Sequence, residues 1–180
     1  TLVGNTSGSS TPYVISASHL IPSPESAAEA LFLFNYETTG CDGELTTNTG
    51  SMSGATLVSS TDQRLDFALM KLNETPPPSY QTFYAGWDAS NSNPQSGVCI
   101  HHPFGGTKQI AIDYHPLLNE DIGQGLDANS TWKVRHWELG TTEQGSSGAP
   151  LFNEKHRIVG TLTGGRSTCG YARDDFFTKF

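Results

Sequence analysis

Three residue types that cooperate in acyl transfer occur far apart in this chain, in the order His19, Asp66, Ser147. A serine hydroxyl becomes a nucleophile when a base within hydrogen-bond reach takes its proton. That base is ordinarily a histidine whose other ring nitrogen is held by a carboxylate. Ser147 lies in "TEQGSSGAPLF", residues 142–152, where Gly and Ala surround two adjacent hydroxyls and Pro150 follows. Such a stretch is either a plain turn between strands or a nucleophile turn, whose small neighbours let the backbone bend sharply beside a substrate. The candidate bases are His19, His101, His102, His115, His136 and His156. His19 follows "VISAS" at the end of an apolar run, a strand-to-loop corner from which a side chain can enter a cleft. Asp66 opens "DFALMKL", where a carboxylate at the mouth of an apolar strand is partly buried and needs a partner. A lone histidine or strand-edge aspartate is ordinarily structural; His, Asp and Ser together, with "GSSG" as the third member, form a far more specific set.

Positioning three distant residues requires many strands. "PYVISAS" (12–18), "ALFLFNY" (30–36), "GATLVSS" (54–60) and "DFALMKL" (66–72) are β-branched, aromatic or continuously apolar, and could close one small barrel. "TPPPS" (75–79) then breaks any ladder, because successive prolines offer no backbone donor. It divides the chain into a barrel at 1–78 and a second at 79–180. The second half supplies "GVCIHHP" (97–103), "KQIAIDY" (108–114), "TWKVRHW" (131–137), "APLF" (149–152) and "RIVGTLTGG" (157–165), with a polar loop over 119–130. No long segment keeps a helical period.

Composition agrees with an all-β protein: 180 residues, 35% hydrophobic and only 16% charged, with abundant Gly, Pro and Ser. The formal net charge of −8 and scattered Lys and Arg argue against nucleic acid or anionic lipid as main partner. No apolar run approaches the roughly 18 residues of a membrane span. With neither initiator Met nor signal peptide, Thr1 is expected to follow a segment removed or lying outside this sequence. Cys41, Cys99 and Cys169 are too dispersed for a zinc pattern. Cys41 and Cys169 stand in polar loops, as disulfide cysteines of secreted proteins do, and Cys99 reads as a small buried thiol. His101 and His102 are neighbours on a strand, so their side chains point to opposite faces and cannot easily clamp one metal ion. Tyr36, Trp87, Trp132 and Trp137 are assigned to barrel cores or barrel contacts.

The motifs resemble those of the chymotrypsin-fold serine endopeptidases, and within them the bacterial secreted lysyl endopeptidases. "VISASHLI" is similar to that family's strand ending in Thr-Ala-x-His-Cys, "DFALMKL" to its Asp-Phe-x-Leu-Leu-x-Leu strand, and "EQGSSGAPLF" to its Gly-Ser-Ser-Gly-x-Pro turn. "AGWDASN" (85–91) and "CIHHPFGGTKQI" (99–110) resemble segments of the lysyl branch. The resemblance implies two antiparallel six-stranded β-barrels, with the family's N-terminal strands and C-terminal helix not represented in 1–180. It implies His19 as general base, Asp66 as orienting carboxylate, Ser147 as nucleophile, and the N–H groups of Gly145 and Ser147 as oxyanion hole. Ser146 stands where trypsin-like zymogens keep an aspartate that pairs with the freed N-terminus. No metal or cofactor is implied.

A lysine-selective protease needs a carboxylate at the base of its pocket, since a buried ammonium without a partner is prohibitively costly. "DFFTKF" (175–180) resembles the segment that supplies it, which makes Asp175 the candidate and Asp174 the fallback. Thr163, Gly164 and Gly165 of "TLTGG" would line extended substrate, and Thr163 replaces a histidine of the family, which admits arginine beside lysine. Leu20 replaces the cysteine after the catalytic histidine. In the family, the cysteines matching Cys41 and Cys169 bond to cysteines near the N-terminus. The expected protein is a secreted, monomeric serine endopeptidase with a disulfide, acting on proteins or peptides. A catalytically inactive binding module and a glutamyl endopeptidase are the alternatives.

Overall fold

The computed structural model describes every residue of the chain except Asp42, Asp62, Gln63 and Gln124. Its strands are β1 (Leu2–Val3), β2 (Tyr13–Ser16), β3 (Leu31–Phe34), β4 (Gly50–Ser53), β5 (Ala55–Thr61), β6 (Phe67–Leu72), β7 (Gly97–His101), β8 (Gln109–Asp113), β9 (Leu118–Asn119), β10 (Thr131–His136), β11 (Pro150–Phe152), β12 (Ile158–Gly165) and β13 (Arg173–Lys179). One α-helix, α1 (Pro24–Glu29), interrupts them; Ser23 caps it by accepting the Ser26 N–H while the Ser26 hydroxyl accepts the Ser23 N–H. That reciprocal cap, with Pro24 at the first turn, lets six residues hold a helix that periodicity alone would not support. No helix among the described residues is long and apolar enough to cross a membrane.

β2 and β6 are apolar on both faces because each face is covered. Val14, Met70 and Leu72 point into a first core with Leu2, Ala27 and Ala55. Ile15, Phe67 and Leu69 point the other way, into a seam with Val3, Ala85 and Ile158. The seam joins the halves of the chain through parallel bridges Val3↔Ala85 and Trp87↔Ile158. Trp87 belongs to it, donating Nε1–H to the Gly4 carbonyl at 2.9 Å while remaining partly exposed. Trp132 and Trp137 are buried in a second core with Val134, Leu151 and Phe177, and Tyr36 stacks on His102 across the halves.

The strands do not arrange as two six-stranded barrels. In the first half β1-β2-β6-β5 form one sheet and β3-β4 a separate hairpin. Gly54, at φ +78°, causes the division: its N–H donates to Ala30, and a Cβ there would collide with the Ala28 carbonyl and Asn73. The chain reverses tightly at that point, so β5 leaves the β3-β4 ladder and pairs with β6. The second half is one seven-stranded sheet in the order β8-β7-β11-β12-β13-β10-β9. It curls until Ile112 of β8 exchanges backbone bonds with Glu138 and Leu139, just beyond β10. The expected disulfide is also absent: Cys41 and Cys169 are free and exposed, and Cys99 is free and buried. The tri-proline stretch carries no ladder and leads into a 3₁₀ turn at Pro78–Tyr80.

Candidate active site

The antiparallel register Ser16↔Ala68 brings the end of β2 to the beginning of β6. His19 lies in the turn after β2, and Asp66 directly before β6. Asp66 Oδ2 meets His19 Nδ1 at 2.7 Å, while Oδ1 accepts the His19 backbone N–H at 2.9 Å and the Ser18 hydroxyl at 3.0 Å. Three hydrogen bonds thus fix the carboxylate and the imidazole relative to each other, and an ionised Asp66 keeps the ring proton on Nδ1, leaving Nε2 free to accept another. Burial alone would raise the Asp66 carboxyl; the bonds from His19, its backbone and Ser18 more than offset this and hold it below the usual carboxylate range. The hydrogen bond to Asp66 raises His19, partly countered by burial and reinforced by the carboxylate's charge.

Ser147, half-buried, sits in a turn bounded by two glycines of positive φ, Gly145 at +89° and Gly148 at +74°. Gly148 is the closest link to the histidine loop. Its Cβ position is occupied by Ser16 Oγ, with the Ala17 nitrogen 2.8 Å away, so any side chain there would push the turn off β2. The Gly148 N–H donates to Leu162 of β12 at 2.8 Å, tying the turn to the second sheet as well. Among the described residues neither the Gly145 nor the Ser147 N–H has a protein acceptor, and Ser147 Oγ makes no hydrogen bond to His19.

Asp175 and Asp174, adjacent on β13, meet different partners. Asp175 is 1% exposed, and its Oδ2 accepts the Trp137 indole N–H at 2.6 Å and the Thr142 hydroxyl at 2.5 Å. Burial pushes its carboxyl above the ordinary value, and the bonds from Thr142, Trp137 and Ser167 only partly compensate. Asp174 instead joins a surface network, 3.1 Å from Lys133 Nζ and accepting the Tyr171 hydroxyl. The register of β12 against β13 shifts between Leu162 and Gly164, and this bulge sets Gly165 opposite Asp175. A Cβ on Gly165 would overlap Asp175 Oδ1, so glycine keeps the approach to that oxygen open. Thr163, at the bulge, shares a 2.7 Å hydrogen bond with Thr178.

Sequence reasoning missed Ser18, Thr142, Gly148 and the polar end of Trp137. Thr142 carried a weak signal, a hydroxyl just before the glycine-serine turn; Trp137 carried none, since an indole in an apolar strand reads as core. The other expected base candidates lie elsewhere. His101 and His102 lie beside the Ser147 turn, while His136 and His156 are exposed. His115 meets Asp113 and Glu138, a trio whose ligand atoms all lie within 4.8 Å of one another, its Nδ1 2.9 Å from Glu138 Oε1 and 3.4 Å from Asp113 Oδ1.

The profile of the family described as lysyl endopeptidase, C-terminal domain, matches residues 1–178. The chain is 30% identical over 191 aligned positions to the lysyl endopeptidase of Pseudomonas aeruginosa, covering all of this chain and 40% of that protein, so it spans well under half the length of this curated relative. Among solved structures it resembles a thermostable serine protease, AL20, from an extremophilic microorganism, with TM-score 0.69 and 16% identity over 99% of this chain and 82% of that one. It also resembles the HtrA-type protease AlgW in a structure with a decapeptide, with TM-score 0.61 and 15% identity over 95% of this chain and 45% of that one. The nearly all-β, curled-sheet architecture is therefore that of the serine proteases, and the chain belongs to the lysyl endopeptidase C-terminal domain family.

Proposed function

We propose that this chain is the catalytic region of a secreted, monomeric serine endopeptidase that cleaves proteins or peptides after lysine. Residues 1–78 would contribute His19 and Asp66, and residues 79–180 Ser147, the oxyanion hole and the pocket. The observation that carries the reading is the His19–Asp66 couple, closed by bonds of 2.7 and 2.9 Å, with the Ser147 turn packed on the strand that precedes it. In the reaction, Ser147 Oγ adds to the scissile carbonyl carbon while its proton passes to His19 Nε2, and Asp66 stabilises the resulting imidazolium. The oxyanion takes the free N–H groups of Gly145 and Ser147, each worth about 3 kcal/mol in comparable sites. His19 then gives the proton to the leaving amine as the C–N bond breaks. Water, deprotonated by the same histidine, hydrolyses the acyl-enzyme.

Lysine rather than arginine suits Asp175 because Trp137 and Thr142 already occupy Oδ2. The remaining oxygen matches a compact ammonium, whereas a guanidinium fork wants both oxygens. Thr163, Gly164 and Gly165 would line the extended substrate. A glutamyl preference would place two carboxylates together, with no cation between them. An inactive binding module of the same fold is the second reading, favoured by the missing Ser147–His19 hydrogen bond, although such bonds commonly tighten only with substrate bound. Labelling with a fluorophosphonate separates them: the wild type should label and cut after Lys, and Ser147→Ala should lose both. A folded wild type that does neither leaves only the binding module.

A further inference from the structure

Beneath the Ser147 turn lies a polar contact that the proposed reaction does not use. His101, the last residue of β7 and 1% exposed, meets Ser146 Oγ through Nδ1 at 2.8 Å. Ser146 is equally buried, and its Oγ also accepts the Glu143 N–H at 3.2 Å. The Ser146 N–H returns to the Glu143 carbonyl at 3.0 Å, so the hydroxyl closes the turn from inside. A hydroxyl can accept twice, so either the Ser146 O–H or the His101 Nδ1–H makes this bond, and in both tautomers it occupies one of the two ring nitrogens. The other, Nε2, is buried and has no partner among the described residues. A buried polar atom without a partner lowers stability, so packing alone gives no reason to keep a histidine there. Burial, aided by the neighbouring His102, lowers the ring to about 4, which keeps it neutral in ordinary buffers.

The residues after His101 support the turn from the same side. The Phe104 N–H donates to the Gln144 carbonyl at 2.7 Å, and the Cβ position of Gly145 lies 3.0 Å from that nitrogen. The segment from His101 to Gly105 is thus a bed for residues 143–146, and among the described residues the side-chain bond between bed and turn is His101 to Ser146. We infer that His101 and Ser146 are positioning residues: their buried hydrogen bond holds the Glu143–Ser146 turn so that the Gly145 N–H faces the developing oxyanion. This rests on the peptidase reading above. At the position where zymogen-type relatives keep an aspartate for an ion pair with a freed N-terminus, this chain uses a charge-neutral bond wholly within its second half. Its oxyanion donors need no terminal cation to be set.

Steady-state cleavage of a Lys model peptide tests the role, with thermal melting to confirm folding. His101→Leu and Ser146→Ala each break the bond; a misplaced oxyanion donor should lower kcat about 100-fold with KM within about threefold. His101→Asn can present an amide near the Nδ1 position and should recover most of the lost kcat, which a role in filling space would not predict. An active wild type whose folded His101→Leu and Ser146→Ala variants keep kcat overturns the inference, as does an Asn variant as impaired as the Leu variant. A wild type that neither labels nor cleaves overturns the peptidase reading itself, and the role assigned here with it.

Discussion

Asp66 and Asp175 are both almost wholly enclosed, at 5% and 1% exposure, and both are hydrogen-bonded, yet their carboxyls shift in opposite directions. Burial pushes each upward. Asp66 escapes because one of its partners, His19, can become a cation, and two more donors crowd its other oxygen. Asp175 has only neutral donors, the Trp137 indole and the Thr142 hydroxyl on Oδ2 with Ser167 beside them, and no cation of this chain within ion-pair reach among the described residues. The first carboxylate has its full set of partners in the folded chain; the second, in the proposed reading, would gain a cation only from substrate. A buried anion left short of a cation is what a pocket for a basic side chain requires.

Removing the complete partner should have the largest effect. Asp66→Asn should lower kcat about 10⁴-fold, because the amide favours the wrong imidazole tautomer and no longer stabilises the imidazolium. The pH profile should move too. In the wild type His19 titrates above 6.5 and in the proposed reaction must be neutral to act, so the acid limb of kcat/KM should lie above that pH; without the carboxylate it should shift downward. The stability linkage has its own sign. The raised His19 stabilises the fold fully below 6.5 and loses this as pH rises through its folded value; the lowered Asp66 stabilises above 3.8 and loses this as pH falls through its own. The couple therefore supports the fold most between those pH values, and denaturation measured across pH should show the support vanish in Asp66→Asn.

Asp175→Asn should reverse the relation between activity and stability. A raised carboxyl stabilises below the ordinary 3.8 and loses that contribution as pH rises through the folded value, so at neutral pH the ionised Asp175 burdens the fold. The amide should raise stability by about 0.5–2 kcal/mol, as replacement of strained functional groups commonly does. It should also lower kcat/KM for Lys substrates roughly 10²- to 10³-fold, the cost of leaving a buried ammonium unpaired. A variant that melts lower and still cleaves after Lys would remove Asp175 from the pocket.

The two carboxylates also differ in how readily sequence exposes them. The apolar runs beside His19 and Asp66 are legible, and they become neighbouring strands because both have two covered faces. The long strands of the second half are equally legible, from Ile158–Gly165 to Thr131–His136. What the sequence hides is two-dimensional. Nothing in "TLTGG" announces a bulge, yet that bulge places Gly165 opposite Asp175. Nothing in "TWKVRHW" says that Trp137, besides packing edge-on against Phe177, reaches the same carboxylate. The barrel count failed for a like reason, since the turn at Gly54 depends on how α1 and Asn73 crowd it rather than on any strand signal.

The smallest effect is expected one residue away, at Asp174. Its carboxylate pairs with Lys133, which also holds Glu120 at 2.7 Å, so the lysine keeps a partner when Asp174 is neutralised. The pair is partly covered but still reached by solvent, and pairs near the surface contribute about 0–1 kcal/mol. Asp174 also sits at φ +62°, a left-handed conformation that asparagine tolerates at least as well, so Asp174→Asn loses charge without adding backbone strain. Melting should stay within about 1 kcal/mol of wild type, and kcat/KM for Lys substrates within about threefold, since the surface charge acts on an ammonium only through solvent. If neutralising Asp174 instead cost Lys cleavage as much as neutralising Asp175, the difference in burial between these neighbours would no longer separate pocket from surface, and the contrast between the buried carboxylates would lose its meaning for specificity.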